Sequence, residues 1–116
     1  MGKFLSNTYK KDNVDRQWLK QNDFRYSRTY SDSESDAYLR RFPVYKYGSC
    51  CTLEGEILIY VETGEVRINV YESGTNNIYA PFYNVEYGNY DSLLKIIDKY
   101  IYAELKRLNI RKVKVA

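Results

Sequence analysis

Apolar and polar residues alternate most regularly between Glu65 and Tyr71, where Val66, Ile68 and Val70 fall on one side and Glu65, Arg67, Asn69 and Tyr71 on the other. A period of two marks a strand with one buried face. Just upstream, the run from Cys50 to Tyr60 ends in the strongly β-prone Ile57-Leu58-Ile59-Tyr60. Between the two runs, Glu62-Thr63-Gly64-Glu65 places a glycine where a tight turn needs positive φ. These residues predict an antiparallel hairpin. Two further strand-like runs precede it. In 24–30, Phe24, Tyr26, Arg28 and Tyr30 alternate with Arg25, Ser27 and Thr29. In 37–47 the alternation is less clean, and Pro43, which has no N–H to give a ladder, predicts an edge strand or a bulge. The acidic, serine-rich stretch 31–36 separates them as an exposed turn.

The period changes near the C-terminal end. Leu94, Ile97, Ile101, Leu105 and Leu108, broadened by Leu93 and Tyr100, form an apolar stripe at helical spacing, so a helix is predicted from about 90 to 108. Asn89 or Asp91 is placed to cap it, and Asn109 to stop it. A shorter helix is predicted over 13–22, with Val14 and Trp18 one turn apart, a cap from Asp12 or Asn13, and Asn22 at its end. Residues 1–12 read as a flexible basic tail, and 110–116 as a basic tail or a short strand. The expected fold is therefore one α+β domain over 13–109. A four-stranded antiparallel sheet in α-β-β-β-β-α order packs against the C-terminal amphipathic helix.

Composition removes chemistry more than it adds any. The chain of 116 residues has no histidine, two cysteines and 14 tyrosines. Without histidine there is no Ser-His-Asp or Cys-His pair and no histidine-based zinc site, so acid–base work would fall to carboxylates, Lys or Tyr shifted by burial. The cysteines, Cys50 and Cys51, are adjacent and on a strand point to opposite faces, which disfavours a disulfide and a metal site alike. No cofactor and no metal are expected, and the chain reads as a cytoplasmic non-enzyme. The abundance of Tyr, Asn, Ile and Lys matches A/T-rich codons of a low-GC bacterial or phage genome.

Charge is divided along the chain. Residues 1–50 hold 10 basic and 6 acidic side chains, residues 51–90 hold 1 and 6, and residues 91–116 hold 7 and 3. Three functional readings follow. The aromatic segment 79–90, with Tyr79, Phe82, Tyr83 and Tyr87 as candidate contacts, suits a protein-binding surface because tyrosine supplies area at low entropic cost. The alternative interpretation of the same rings is a loop tucked under the sheet. Arg25, Arg28, Arg40, Arg41 and Lys46 interleave with aromatics, the pattern of a single-stranded nucleic-acid surface, although the neighbouring strands carry Glu54, Glu56, Glu62, Glu65 and Glu72. Glu54 and Glu56 on one strand face are the minimum for a magnesium-dependent site.

The β-β-β-β-α order with arginines on its strands resembles, in topology, the single-stranded-DNA-binding transcriptional coactivators. The tyrosine-rich composition without catalytic motifs resembles the small accessory proteins of phages and mobile elements, some of which bind and block a host protein. The expected function is thus a protein-interacting accessory or inhibitor. Single-stranded nucleic acid is the runner-up partner, and a homodimer through an edge strand is a further possibility.

Overall fold

The computed structural model describes residues 8–47, 50–83 and 91–113. They form, in order, β1 (Thr8–Lys10), α1 (Arg16–Gln21), β2 (Arg25–Ser27), β3 (Ala37–Tyr47), β4 (Cys50–Tyr60), β5 (Glu65–Glu72), α2 (Ala80–Tyr83), α3 (Asp91–Arg107) and β6 (Arg111–Val113). One fully antiparallel sheet runs in the order β2-β3-β4-β5-β1-β6. The architecture is α+β with a C-terminal helix, as expected, but the sheet has six strands rather than four.

The two extra strands come from 1–12, which read as a flexible tail, and from 110–116, which read as a tail or a short strand. β1 and β6 pair with each other, Thr8 to Val113 and Lys10 to Arg111, and β1 also lies against β5 through Tyr9 and Val66. Three residues are too few to show a period in sequence, and only the meeting of distant segments satisfies their backbone groups. Tyr9 is buried, and Asp12 joins the rim by accepting from Arg111 Nε at 2.7 Å. That ion pair holds the exposed Asp12 carboxyl below its ordinary range.

The central strands follow their periods. Val66, Ile68 and Val70 of β5 are buried on one face with Ile57 and Ile59 of β4 and Phe42 and Val44 of β3. α3 covers this face with Ile97, Ile101 and Leu105, and α1 adds Leu19 with Trp18 beside it, stacked on Phe24 at 6.1 Å. Gly55 is required here, because a Cβ would lie 2.8 Å from the Phe42 ring and 3.0 Å from Val44. Gly64 makes the β4–β5 turn at φ 75°, and a Cβ there would meet the Lys11 carbonyl at 2.4 Å. α1 begins later than its sequence signals imply, with Asp15, not Asp12 or Asn13, as the cap: its carboxylate accepts from Gln17 N at 2.9 Å.

β2 is the largest departure at the level of a single element. The alternation over 24–30 continues past the strand, but pairing covers only Arg25, Ser27 and the Tyr26 between them. Asp23 turns the chain in at φ 65°. At the other end Ser27 turns it away, its carbonyl accepting from Ser31 N and Ser31 Oγ and its hydroxyl from Tyr30 N.

Candidate functional site

Two features stand out on this frame, a buried polar row on the sheet face away from α3 and an edge on β3 that no described strand covers. The register sets Arg41, Glu56 and Asn69 directly opposite one another across β3, β4 and β5. Glu56 is 1% exposed. Its Oε2 accepts from Arg41 Nε at 3.2 Å and its Oε1 from Asn69 Nδ2 at 3.1 Å. Arg41 donates further to the Thr75 carbonyl at 2.7 Å and to Asn76 Oδ1 at 2.9 Å, and its guanidinium lies 4.3 Å from the centre of the Tyr71 ring. A buried carboxylate is tolerated only when such partners fill its oxygens.

Three tyrosine hydroxyls border the row. Tyr83 donates to Asn69 Oδ1 and accepts from Val70 N, both at 3.1 Å. The hydroxyls of Tyr71 and Tyr30 lie 3.2 Å apart. Burial pushes the Tyr71 phenol up, helped by the Tyr30 bond and the nearby Glu56 charge, and burial likewise raises Tyr83. Both phenols are thereby held in their neutral form, and Tyr83 serves Asn69 as a donor. A cleft of about 310 Å³ opens here between Tyr30, Arg41, Glu56, Tyr71 and Asn76. Glu54 lies on the same face, half-buried, and accepts from Gly74 N at 2.7 Å.

The edge of β3 follows from the shortness of β2. Because β2 pairs only with 37–39, residues 40–47 of β3 have no neighbouring strand on that side among the described residues. Which backbone groups point outward can be traced from β5. The Val70 carbonyl accepts from Tyr79 N and its amide donates to Tyr83, so both point away from β4. Alternation along paired strands then turns Gly55 toward β3, Phe42 toward β4, and Arg41 and Pro43 to the outside. Pro43 thus takes a position where its missing N–H costs no ladder bond, and a bulge follows at Val44, between Pro43 and Tyr45. The bulge and the edge that Pro43 predicts are both present.

Beside this edge runs an apolar groove of about 420 Å³, formed by Pro43, Val44, Tyr45 and Lys46 with Ile96 and Tyr100 of α3. Ile96 and Tyr100 sit one helical turn apart and are 41% and 54% exposed, so Tyr100 lies off the buried stripe that it was expected to broaden. Where β2 begins, a second depression of about 500 Å³ is lined by Lys20, Asp23, Phe24, Arg25, Arg40 and Arg41.

The residues singled out in sequence are distributed as follows. Phe82 is 1% exposed in the core, Tyr79 and Tyr83 are half-buried against it, and Tyr87 lies outside the described residues. Arg40 pairs with Glu104 at 3.1 Å and with Asp23 at 3.5 Å, and Arg41 with Glu56. Arg25, Arg28 and Lys46 are exposed. Glu54 and Glu56 share a face, but Glu56 is bound to Arg41 and Asn69, and no group of three or more Cys, Asp or Glu that could hold a metal occurs among the described residues. Sequence reasoning missed the polar row, which is a product of register, and the groove, whose only trace was that Ile96 falls off the helical stripe. No described helix is long and apolar enough to cross a membrane. No family model, no curated protein and no solved structure matches this chain.

Proposed function

We propose that this chain is a small cytoplasmic binding protein, not an enzyme, that takes an extended segment of a partner protein as an added strand on the edge of β3. The observation that carries this reading is the edge 40–47, which no described strand covers, lying beside the Ile96–Tyr100 groove. Strand addition draws affinity from main-chain hydrogen bonds and selectivity from pockets for alternate side chains, and both are adjacent here. An accessory or inhibitor of phage or mobile-element type would use such an edge to capture a host protein. The binding surface is thereby moved from segment 79–83, whose rings support the core, to the opposite rim of the sheet.

Replacing Ile96 and Tyr100 together with Lys tests this. The variant should keep its fold by circular dichroism and lose the partner; a variant that retains full binding removes the groove from the reading. Single-stranded nucleic acid on the Arg/Tyr strands is the weaker alternative, because Arg40 and Arg41 are committed to carboxylates. A labelled oligonucleotide at low salt tests it directly, since phosphate contacts make binding steeply salt-dependent.

A further inference from the structure

The chemistry bordering the β3 edge specifies the segment that fits it. At one end stand Lys20 and Arg25, and at the other Lys46; all three are exposed and none has an ion-pair partner among the described residues. The acidic residue lining the depression at the first end is Asp23, whose carboxylate leans to Arg40. Between the cationic ends lies the apolar groove of Val44, Ile96 and Tyr100. Resting on the strand-addition reading, we infer that the preferred guest is an extended acidic–apolar–acidic segment. Its apolar side chain enters the groove and its carboxylates meet Lys20 and Arg25 at one end and Lys46 at the other.

Geometry sets the length. The stretch from Arg41 to Lys46 covers roughly 16 Å at strand rise, so a guest of about six residues spans both ends. The same charges disfavour a second copy of this chain as the occupant. Antiparallel pairing of two β3 edges about Pro43 brings Lys46 of one copy to the Arg40 end of the other. There Arg40 is paired with Glu104 and Asp23, but Lys20 and Arg25 carry charge without an ion-pair partner among the described residues, so like charges meet.

The experiment is selection of a displayed library of random octapeptides on the intact protein, followed by fluorescence anisotropy of the enriched peptides made synthetically. Enrichment of Asp or Glu flanking a central apolar residue is expected. Lys20→Glu with Arg25→Glu should weaken such a peptide about tenfold, and N-methylation of its alternate backbone amides should abolish binding. Enriched peptides that are purely apolar, or indifferent to the two charge reversals, overturn the acidic selectivity while leaving strand addition standing. Peptides indifferent to N-methylation and to Ile96→Lys with Tyr100→Lys, or no enrichment at all, overturn both readings. A stable dimer in sedimentation equilibrium that Lys46→Glu strengthens overturns the inference in favour of a second copy.

Discussion

β3 and β5 each outrun the strand on their outer side, and the chain treats the two exposed rims differently. β1 reaches only Glu65 and Val66 of β5. Beyond that point the chain folds back on itself: Tyr71 bridges to Ile78, Tyr79 N donates to the Val70 carbonyl, and the Tyr83 hydroxyl accepts from the Val70 amide. Phe82 locks this cover into the core. No described residue does the same for β3 past Leu39. An unsatisfied strand rim is a liability that folds usually manage, by cover, by charge, or by proline and bulges. β5 is managed by cover. β3 is managed by Pro43, a bulge and flanking cations, which blunt the rim, and no described residue closes it.

If the β5 rim is closed structurally, disturbing its cover should cost stability, and the largest cost should come from Phe82. Phe82→Ala empties a site that is 1% exposed and should lower unfolding free energy by about 3–5 kcal/mol in urea titrations. A loss under 1 kcal/mol would mean that the cover is only loosely seated. Arg41→Ala comes next, at about 2–4 kcal/mol, since it strands the buried Glu56 carboxylate. The double variant Arg41→Ala with Glu56→Gln should recover part of that loss, and an additive outcome would argue against the pairing.

Tyr83→Phe should cost about 1–2 kcal/mol by leaving the Val70 amide and Asn69 without the hydroxyl, and hydrogen exchange at Val70 should quicken selectively. The same side of the sheet should be sensitive to base. Tyr71 holds its proton more tightly folded than unfolded, so its stabilising contribution is full below the ordinary phenol value of 10.0 and is lost as pH rises through the higher folded value. Stability measured between pH 9 and 11 should therefore decline, less steeply in Tyr71→Phe. The smallest effect is expected on the β3 rim, where Ile96→Ser and Tyr100→Ser should each change stability by about 0.5 kcal/mol or less. A larger loss at either position would assign the groove to the core.

The sequence revealed those elements whose period is long enough to rise above chance. β5 and α3 were legible because seven residues repeat an alternation or a stripe, β4 because it ends in the β-prone run Ile57–Tyr60, and the turn because of Gly64. β1 was not, and β6 was only one of two readings of 110–116, because Tyr9 and Val113 acquire meaning only when residues about a hundred apart in the chain are paired. α2 was hidden inside a stretch punctuated by turn residues. The candidate site was less legible still. The β3 rim exists because β2 begins only at Arg25, opposite Leu39: Asp23 turns the chain at φ 65° and the Phe24 amide donates back to the Leu19 carbonyl, so the chain before Arg25 does not run on beside Arg40. Arg41, Glu56 and Asn69 read as unrelated polar positions until the register aligned them.

Pro43 has a kinetic consequence. With no amide to offer at an outward position, and with the ladder displaced just after it, the rim can give a guest only a few consecutive main-chain bonds. A complex held that way would exchange quickly, its residence time depending on every one of those few bonds together with the side chains in the groove. The same interruption would stop an incoming strand from templating the next, so the rim could be sticky without seeding fibrils.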